Sequence, residues 1–361
     1  MFSPKGRGAP SSPPNRFESL HIEPDPNAAE DLRIADPDAA PRPLKTNVYR
    51  DDSQTVISTN NSPDLRIEAS LNPYRGCEHG CAYCYARPYH EYLGFNAGID
   101  FESRIIVKEN APELLTHELN HPSWKPKPLV CSGVTDPYQP VERKLEITRR
   151  CLEVLAAFRN PVAIITKNHL VTRDADLLGH LAREYEAAAV FISIPSLDTK
   201  LSTTLEPRAS SPNARLKALE TLARAGIPVG VSLAPRIPGL NDHETPAILK
   251  AAADHGATSA FYTLVRLPHG VKQLFANWLD RHRPRETNKI LDRIRETRHG
   301  KLNESRFNSR MRGSGTLAQE IATLFKISAK RYRLHQSLPP LSTAAFRRHD
   351  PRQPELFPTE L

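Results

Sequence analysis

The sequence predicts a partial α/β barrel of parallel strands wrapped by helices. Three observations carry that prediction. Short apolar runs alternate with longer amphipathic stretches between residues 60 and 270. The strand–helix units number about six, short of the eight that close a TIM barrel. After Pro268 the strand pattern stops, and Gln273–His335 reads as helical and basic.

The elements follow in order. Proline accounts for 33 of the 361 residues, about twice ordinary usage, and it gathers at the two ends. Residues 1–59 form a Pro-rich tail and lead-in, and residues 336–361 form a second tail. Neither end offers enough apolar surface to offset the entropy of ordering, so both tails are expected to be disordered. A first strand is expected around Leu65–Ser70, then strands at Leu129–Val134, Val162–Thr166, Ala189–Ile194, Pro228–Leu233 and Ala260–Val265. These are short, apolar and mostly bounded by Gly, Pro, Asp or Asn, as buried parallel strands are. Helices are expected at Val141–Phe158, Asp174–Tyr185, Pro212–Ala225 and Glu244–His255. Ser211 before Pro212 reads as an N-cap, and Gly226 as the end of that helix. The core barrel then spans 60–270, with a basic extension over 271–335.

Composition narrows the function. No apolar run approaches the ~20 residues of a membrane span, and the opening residues MFSPKGRGAPSSPPNRF form no hydrophobic leader. A cytoplasmic protein is expected. Net charge is +8, yet fifteen Lys and Arg face only five acids between Arg281 and Arg333. Such clustering is the footprint of a polyanion or nucleic-acid partner, and equally of a solvated basic helix face.

Five cysteines are too few for a disulfide scaffold, and three of them fall within eight residues. The segment is Cys77-Glu-His-Gly-Cys81-Ala-Tyr83-Cys84, in a loop directly after an expected strand. Three thiolates from one loop can hold three irons of a cubane cluster and leave the fourth open. The competing arrangement is a zinc site completed by His79, His90 or Cys131. Zinc modules usually split their ligands into two separated pairs, which this spacing does not.

The string CEHGCAYC resembles the signature of the radical S-adenosylmethionine (SAM) superfamily. Further strings are similar to spore photoproduct lyase and its DNA repair photolyase-like relatives: IITK at Ile164–Lys167, ISIPSLD at Ile192–Asp198, LEPRASSPNARLKAL at Leu205–Leu219 and AGIPVGVSLAPRIPG at Ala225–Gly239. The long stretches Leu71–Phe101 and Ser132–Glu142 suggest a broader bacterial branch. The resemblance implies a [4Fe–4S] cluster on Cys77, Cys81 and Cys84, SAM as co-substrate, and an electron donor of the flavodoxin or ferredoxin type.

It also implies individual roles. Tyr83 would meet the adenine by its ring or backbone. Thr135 and Asp136 would stand in the loop that recognises the SAM amino group. Lys167 would pair with the SAM carboxylate, and Ser193 would bond the ribose or carboxylate. The lyases carry a hydrogen-donating cysteine two residues before a Ser-Asp. The matching positions here are Gly133 or Val134, with Cys131 nearby but out of register. A Cys131 that faces the barrel mouth would still serve as the hydrogen donor, and one turned into the apolar strand layer would be an inert hydrophobe. A metal-stabilised nucleic-acid-binding module without catalysis is the alternative reading, and it leaves Lys167 and Asp136 without a task.

Overall fold

A computed structural model describes residues 6–18, 44–65 and 67–348. Six parallel strands form the centre: β3 (Ala69–Leu71), β6 (Leu129–Cys131), β7 (Val162–Thr166), β8 (Ala188–Ser193), β9 (Val229–Arg236) and β10 (Ser259–Leu264). They neighbour one another in that order, and β2 (Ile57–Thr59) runs antiparallel along the outer edge of β3. β10 ends the opposite edge, so the sheet is an open partial barrel. A second small sheet has the order β1-β5-β4, built from β1 (Asn47–Arg50), β5 (Arg104–Val107) and β4 (Tyr74–Arg75). Its strands were not expected: β1 and β4 are short and carry no apolar run, and the apolar run of β5 spans only Ile105–Val107.

Alternation along the strands decides which residues meet which layer. Leu129, Cys131, Val162, Ile164, Val190, Ile192, Val229 and Val231 share one core with Leu152, Leu155, Leu181, Leu219 and Ile248 of the helices. The intervening residues face inward. Among them Phe191 meets Phe261 edge-on at 5.0 Å.

The helices largely match expectation. Ser211 caps Pro212–Arg224 by accepting the Ala214 N–H at 3.3 Å, and Gly226 follows at φ +77°. The expected helix 141–158 is broken into Glu142–Leu145 and Ile147–Phe158. Glu142 is the cause. Its buried carboxylate accepts the N–H groups of Thr148 (3.0 Å) and Arg149 (3.3 Å), capping the second helix, while also taking Tyr74 Oη and Arg173.

Two departures concern the tails. Residues 6–18 pack against the barrel, with Arg7, Ala9 and Asn15 buried. At the other end the Ser342 N–H bonds Glu186 O at 3.0 Å, and Phe346 lies 6.3 Å from Phe158. Disorder is therefore overturned for these stretches and for the lead-in that carries β1 and β2; residues 1–5, 19–43 and 349–361 of the tails lie outside the described residues.

The 271–335 extension is part of the same body. Phe275, Trp278, Leu279, Ile290 and Ile294 pack with Cys81, Ala82, Tyr83, Leu201 and Leu205, and Trp278 Nε1 donates to Thr204 O at 2.9 Å. It thus buttresses the cysteine loop.

Gly230 sits where β9 passes under the Phe191 ring. A Cβ there would lie 2.3 Å from Phe191 Cε1, and that ring is wedged against Phe261. Gly230→Ala is expected to lower stability by about 1–3 kcal/mol through overpacking. The check is a shifted urea midpoint at unchanged slope.

Candidate active site

The cysteine loop lies beyond β3, at the carboxyl end of the parallel sheet, and its backbone is held from several sides. The Cys77 N–H donates to Phe101 O (2.9 Å), Ala82 N–H to Leu205 O (3.0 Å), and Glu78 N–H to the Gln139 side chain (2.9 Å). The fully buried Arg87 donates twice to Cys81 O, at 3.0 and 2.9 Å, and pairs with Glu102 at 2.5 Å.

All five cysteines are free thiols. Cys77 and Cys81 are buried and Cys84 is half-buried. Burial pushes all three thiols up, and they also raise one another: Cys81 and Cys84 act on Cys77, and Cys84 acts on Cys81. The opposing pull comes from Lys167 and Arg215 on Cys81, and from Arg87 and Lys167 on Cys84. The loop thus groups three neutral thiols beside cations that favour thiolates, which suits a set of metal ligands. Among the described residues no three His, Cys, Asp or Glu side chains converge on one point as a single ion requires. A cubane takes its thiolates at separate corners.

The three residues considered as a fourth zinc ligand are all committed elsewhere. His79 sets Nδ1 3.4 Å from Asp136 and Nε2 3.2 Å from Asn168. His90 holds Arg104 O at 3.0 Å, and burial lowers its pKa to about 4. Cys131 has its pKa pushed up to about 12 by burial, on the strand face that meets the helices, in the core with Cys151 and Tyr138. That orientation corrects the expectation that Cys131 donates hydrogen at the mouth: the pleat turns it the wrong way.

The remaining expected residues divide into two groups. Lys167 and Ser193 share the inward parity of β7 and β8. Lys167 Nζ stands 4.0 Å from Glu206 and is partly exposed, while Ser193 is buried. Tyr83, Thr135 and Asp136 instead turn into the fold. The Tyr83 hydroxyl donates to Glu206 and its ring is buried, so only its backbone is left for an adenine. Thr135 Oγ1 donates to Gly76 O at 2.6 Å. Asp136 accepts Tyr138 N–H (2.9 Å) and Thr166 Oγ1 (2.7 Å) on one oxygen, and Lys167 N–H (2.9 Å) with His79 on the other. All four lone-pair positions are taken, so this carboxylate latches the loop instead of meeting an amino group.

Two features take their place at the site from tertiary packing. Glu206 is a fully buried hub that pairs with Arg215, takes the Tyr83 hydroxyl and lies 4.0 Å from Cys81 Sγ. Tyr85, beside Cys84, donates to Gly133 O at 2.6 Å, and the Arg266 guanidinium lies 5.3 Å over its ring. These pairings join residues far apart in the chain.

Comparison with known proteins agrees with this geometry. Residues 71–252 match the Radical SAM superfamily. An uncharacterized protein of Mycobacterium tuberculosis is 34% identical over 238 residues, covering 65% of this chain and 68% of that one. An uncharacterized protein of Methanocaldococcus jannaschii is 33% identical over 174 residues, covering 48% and 62%. Among solved structures, spore photoproduct lyase complexed with dinucleoside spore photoproduct shares the fold at TM-score 0.55 and 17% identity, over 79% of each chain. The chain belongs to the radical SAM superfamily.

Asp136 generates a pH prediction. Burial opposes its ionisation, but His79, Thr166 and the Lys167 N–H outweigh it and hold the pKa at about 2 against an ordinary 3.8. A depressed carboxyl pKa gives stability that is fully present above the ordinary value and fades as pH falls through the folded one. The urea midpoint should therefore drop between about pH 4 and pH 2. Asp136→Asn should flatten that limb.

Proposed function

We propose that the chain is an iron–sulfur enzyme in which Cys77, Cys81 and Cys84 hold three corners of a [4Fe–4S] cluster and leave the fourth for SAM. The observation that carries this reading is three free thiols on one short loop at the sheet's carboxyl end, flanked by Lys167, Arg87 and Arg215. When bound, cluster and SAM supply reductive cleavage to methionine and a 5′-deoxyadenosyl radical, which removes a hydrogen atom from the substrate. The chain's own residues orient and shield. Lys167, at the end of β7, keeps ammonium donors available beside Glu206 and is assigned to the SAM carboxylate. Ser193, on the inner face of β8, is assigned to its polar groups. An electron donor of the flavodoxin or ferredoxin type and the cytoplasm, where thiols stay reduced, complete this reading. Among the described residues no helix is long and apolar enough to cross a membrane.

For the substrate, an anionic strand such as nucleic acid fits best, in a repair or modification reaction. Arg266, just past β10, lies over Tyr85 with its Nε buried and without a hydrogen-bond partner. It forms no ion pair among the described residues, and burial lowers its pKa. An uncompensated guanidinium stacked on an aromatic ring beside Cys84 suits a phosphate with an adjoining base. The basic 281–335 segment would extend that contact.

Five outcomes test these assignments. After anaerobic reconstitution with iron, sulfide, reductant and SAM, the chain should release 5′-deoxyadenosine. Cys→Ala at 77, 81 or 84 should abolish that release, with losses that do not add. Cys131→Ala should keep the iron–sulfur chromophore, and Lys167→Ala should weaken SAM binding by on the order of 1–3 kcal/mol with the cluster intact. If the Cys131 variant bleaches, a four-cysteine site replaces this one. Arg266→Ala should weaken binding of a labelled single-stranded oligonucleotide and reduce its salt slope by about one. Affinity unchanged at every salt concentration would refute the nucleic-acid assignment.

A further inference from the structure

Residues 6–16 do more than pack against the barrel. Gly8 meets Gly80, inside the cysteine loop, so closely that a Cβ on Gly8 would lie 1.6 Å from the Gly80 carbonyl oxygen. Gly80 in turn has φ +67°, and a Cβ there would lie 2.6 Å from Glu102 Oε2. Only two glycines let these backbones touch.

Glu102 joins the contact to the thiols. Its fully buried carboxylate accepts the Gly8 N–H at 2.9 Å, the Ala9 N–H at 2.7 Å and Arg87 Nη2 at 2.5 Å. Arg87 passes the link on to Cys81 O. Arg7 closes it from the other side, donating to Glu102 O at 2.5 Å and to Leu44 O at 2.8 Å. The far end of the segment is fixed too. Asn15 donates to Glu91 O at 2.9 Å, Arg16 pairs with Glu91 at 2.6 Å, and Ser11 Oγ accepts from Asn277 at 3.0 Å. The last bond reaches the C-terminal helices.

We propose that residues 6–16 are a positioning strap for the metal-binding loop. Gly8, Ala9 and Glu102 fix the Gly80–Cys81 peptide, and the strap keeps solvent from Cys77 and Cys81. This rests on the cluster assignment of the preceding section, where the thiols must be held in register and away from oxidants. Nothing in the strap is a ligand. It acts through Glu102 and Arg87.

The test uses the metal-free full chain, so it does not depend on activity. Iodoacetamide labelling of each cysteine is followed over time by peptide mass spectrometry in the unaltered protein, in Gly8→Val, and in a chain lacking residues 1–16. Cys131 and Cys151, both buried in the helix–sheet core, report folding. Labelling of Cys77 and Cys81 should accelerate by on the order of tenfold in both variants, with the two core cysteines unchanged. The reconstituted variants should also lose their visible iron–sulfur absorbance faster in air. Rates within about twofold of the unaltered chain, with equal air lifetimes, would overturn the strap. If the truncated chain exposes all five cysteines, it has unfolded and Gly8→Val alone decides. An unaltered chain that takes up no iron would instead remove the cluster assignment, while the labelling pattern still tests the strap.

Discussion

The buried carboxylate of Glu206 is the constraint on which the thiol loop depends. It lies 2.5 Å from Arg215, takes the Tyr83 hydroxyl, and faces Lys167 and Cys81. Both partners of the Glu206–Arg215 pair are essentially unexposed, so losing either would strand a charge in low dielectric at a cost of about 3–5 kcal/mol. Arg215 spends its other donors on Ser210 O and Ser193 O. One ion pair therefore fixes the end of β8, the start of the helix beyond it, and the central turn of the loop. Glu102 with Arg87 does the same on the opposite side. Between these two carboxylates the loop has little freedom before any ligand binds, which is the preorganisation a chelating loop requires.

Pleat parity then sorts the candidates along each strand. Lys167 and Ser193 share the inward parity of Phe191; Cys131 shares the outward parity of Val162 and Ile164. A one-residue difference sends one side chain to the mouth and its neighbour into the helix layer. The sequence already held this information, since Leu129 and Cys131 bracket Val130 in a uniformly apolar run. Uniform apolarity is what conceals it: a strand buried on both faces shows no alternation to read.

That contrast explains what was legible. The six central strands, the four expected helices and the C-x3-C-x2-C loop announce themselves through local period, capping chemistry and spacing, and each lies within a few residues of its expected place. The break at Glu146 was not legible, because it is imposed by Glu142 folding back onto amides of the next helix. Nor was the strap. Its contacts are single backbone N–H groups and two glycines meeting face to face, which leave a proline- and glycine-rich string with no period. Composition then argues for disorder, and only long-range partners such as Glu102, 94 residues from Gly8, argue against it.

Charge shows the same limit from the other direction. The basic count between Arg281 and Arg333 is real, but several of those cations are consumed within the fold. Arg310 grips Asp64 with two contacts at 2.6 and 2.7 Å, Arg298 donates to Val265 O and Ser309 O, and Arg295 and Arg306 pair with Asp292 and Glu304. A residue satisfied in this way contributes little to attracting a partner, whatever its formal charge. Arg266 lies outside the dense stretch, yet it stacks on Tyr85 beside Cys84 and forms no ion pair among the described residues. The proposed recognition of an anion at the mouth would depend on uncompensated charge in a desolvated position. It follows from which acids fold back onto which arginines, and net charge does not determine it.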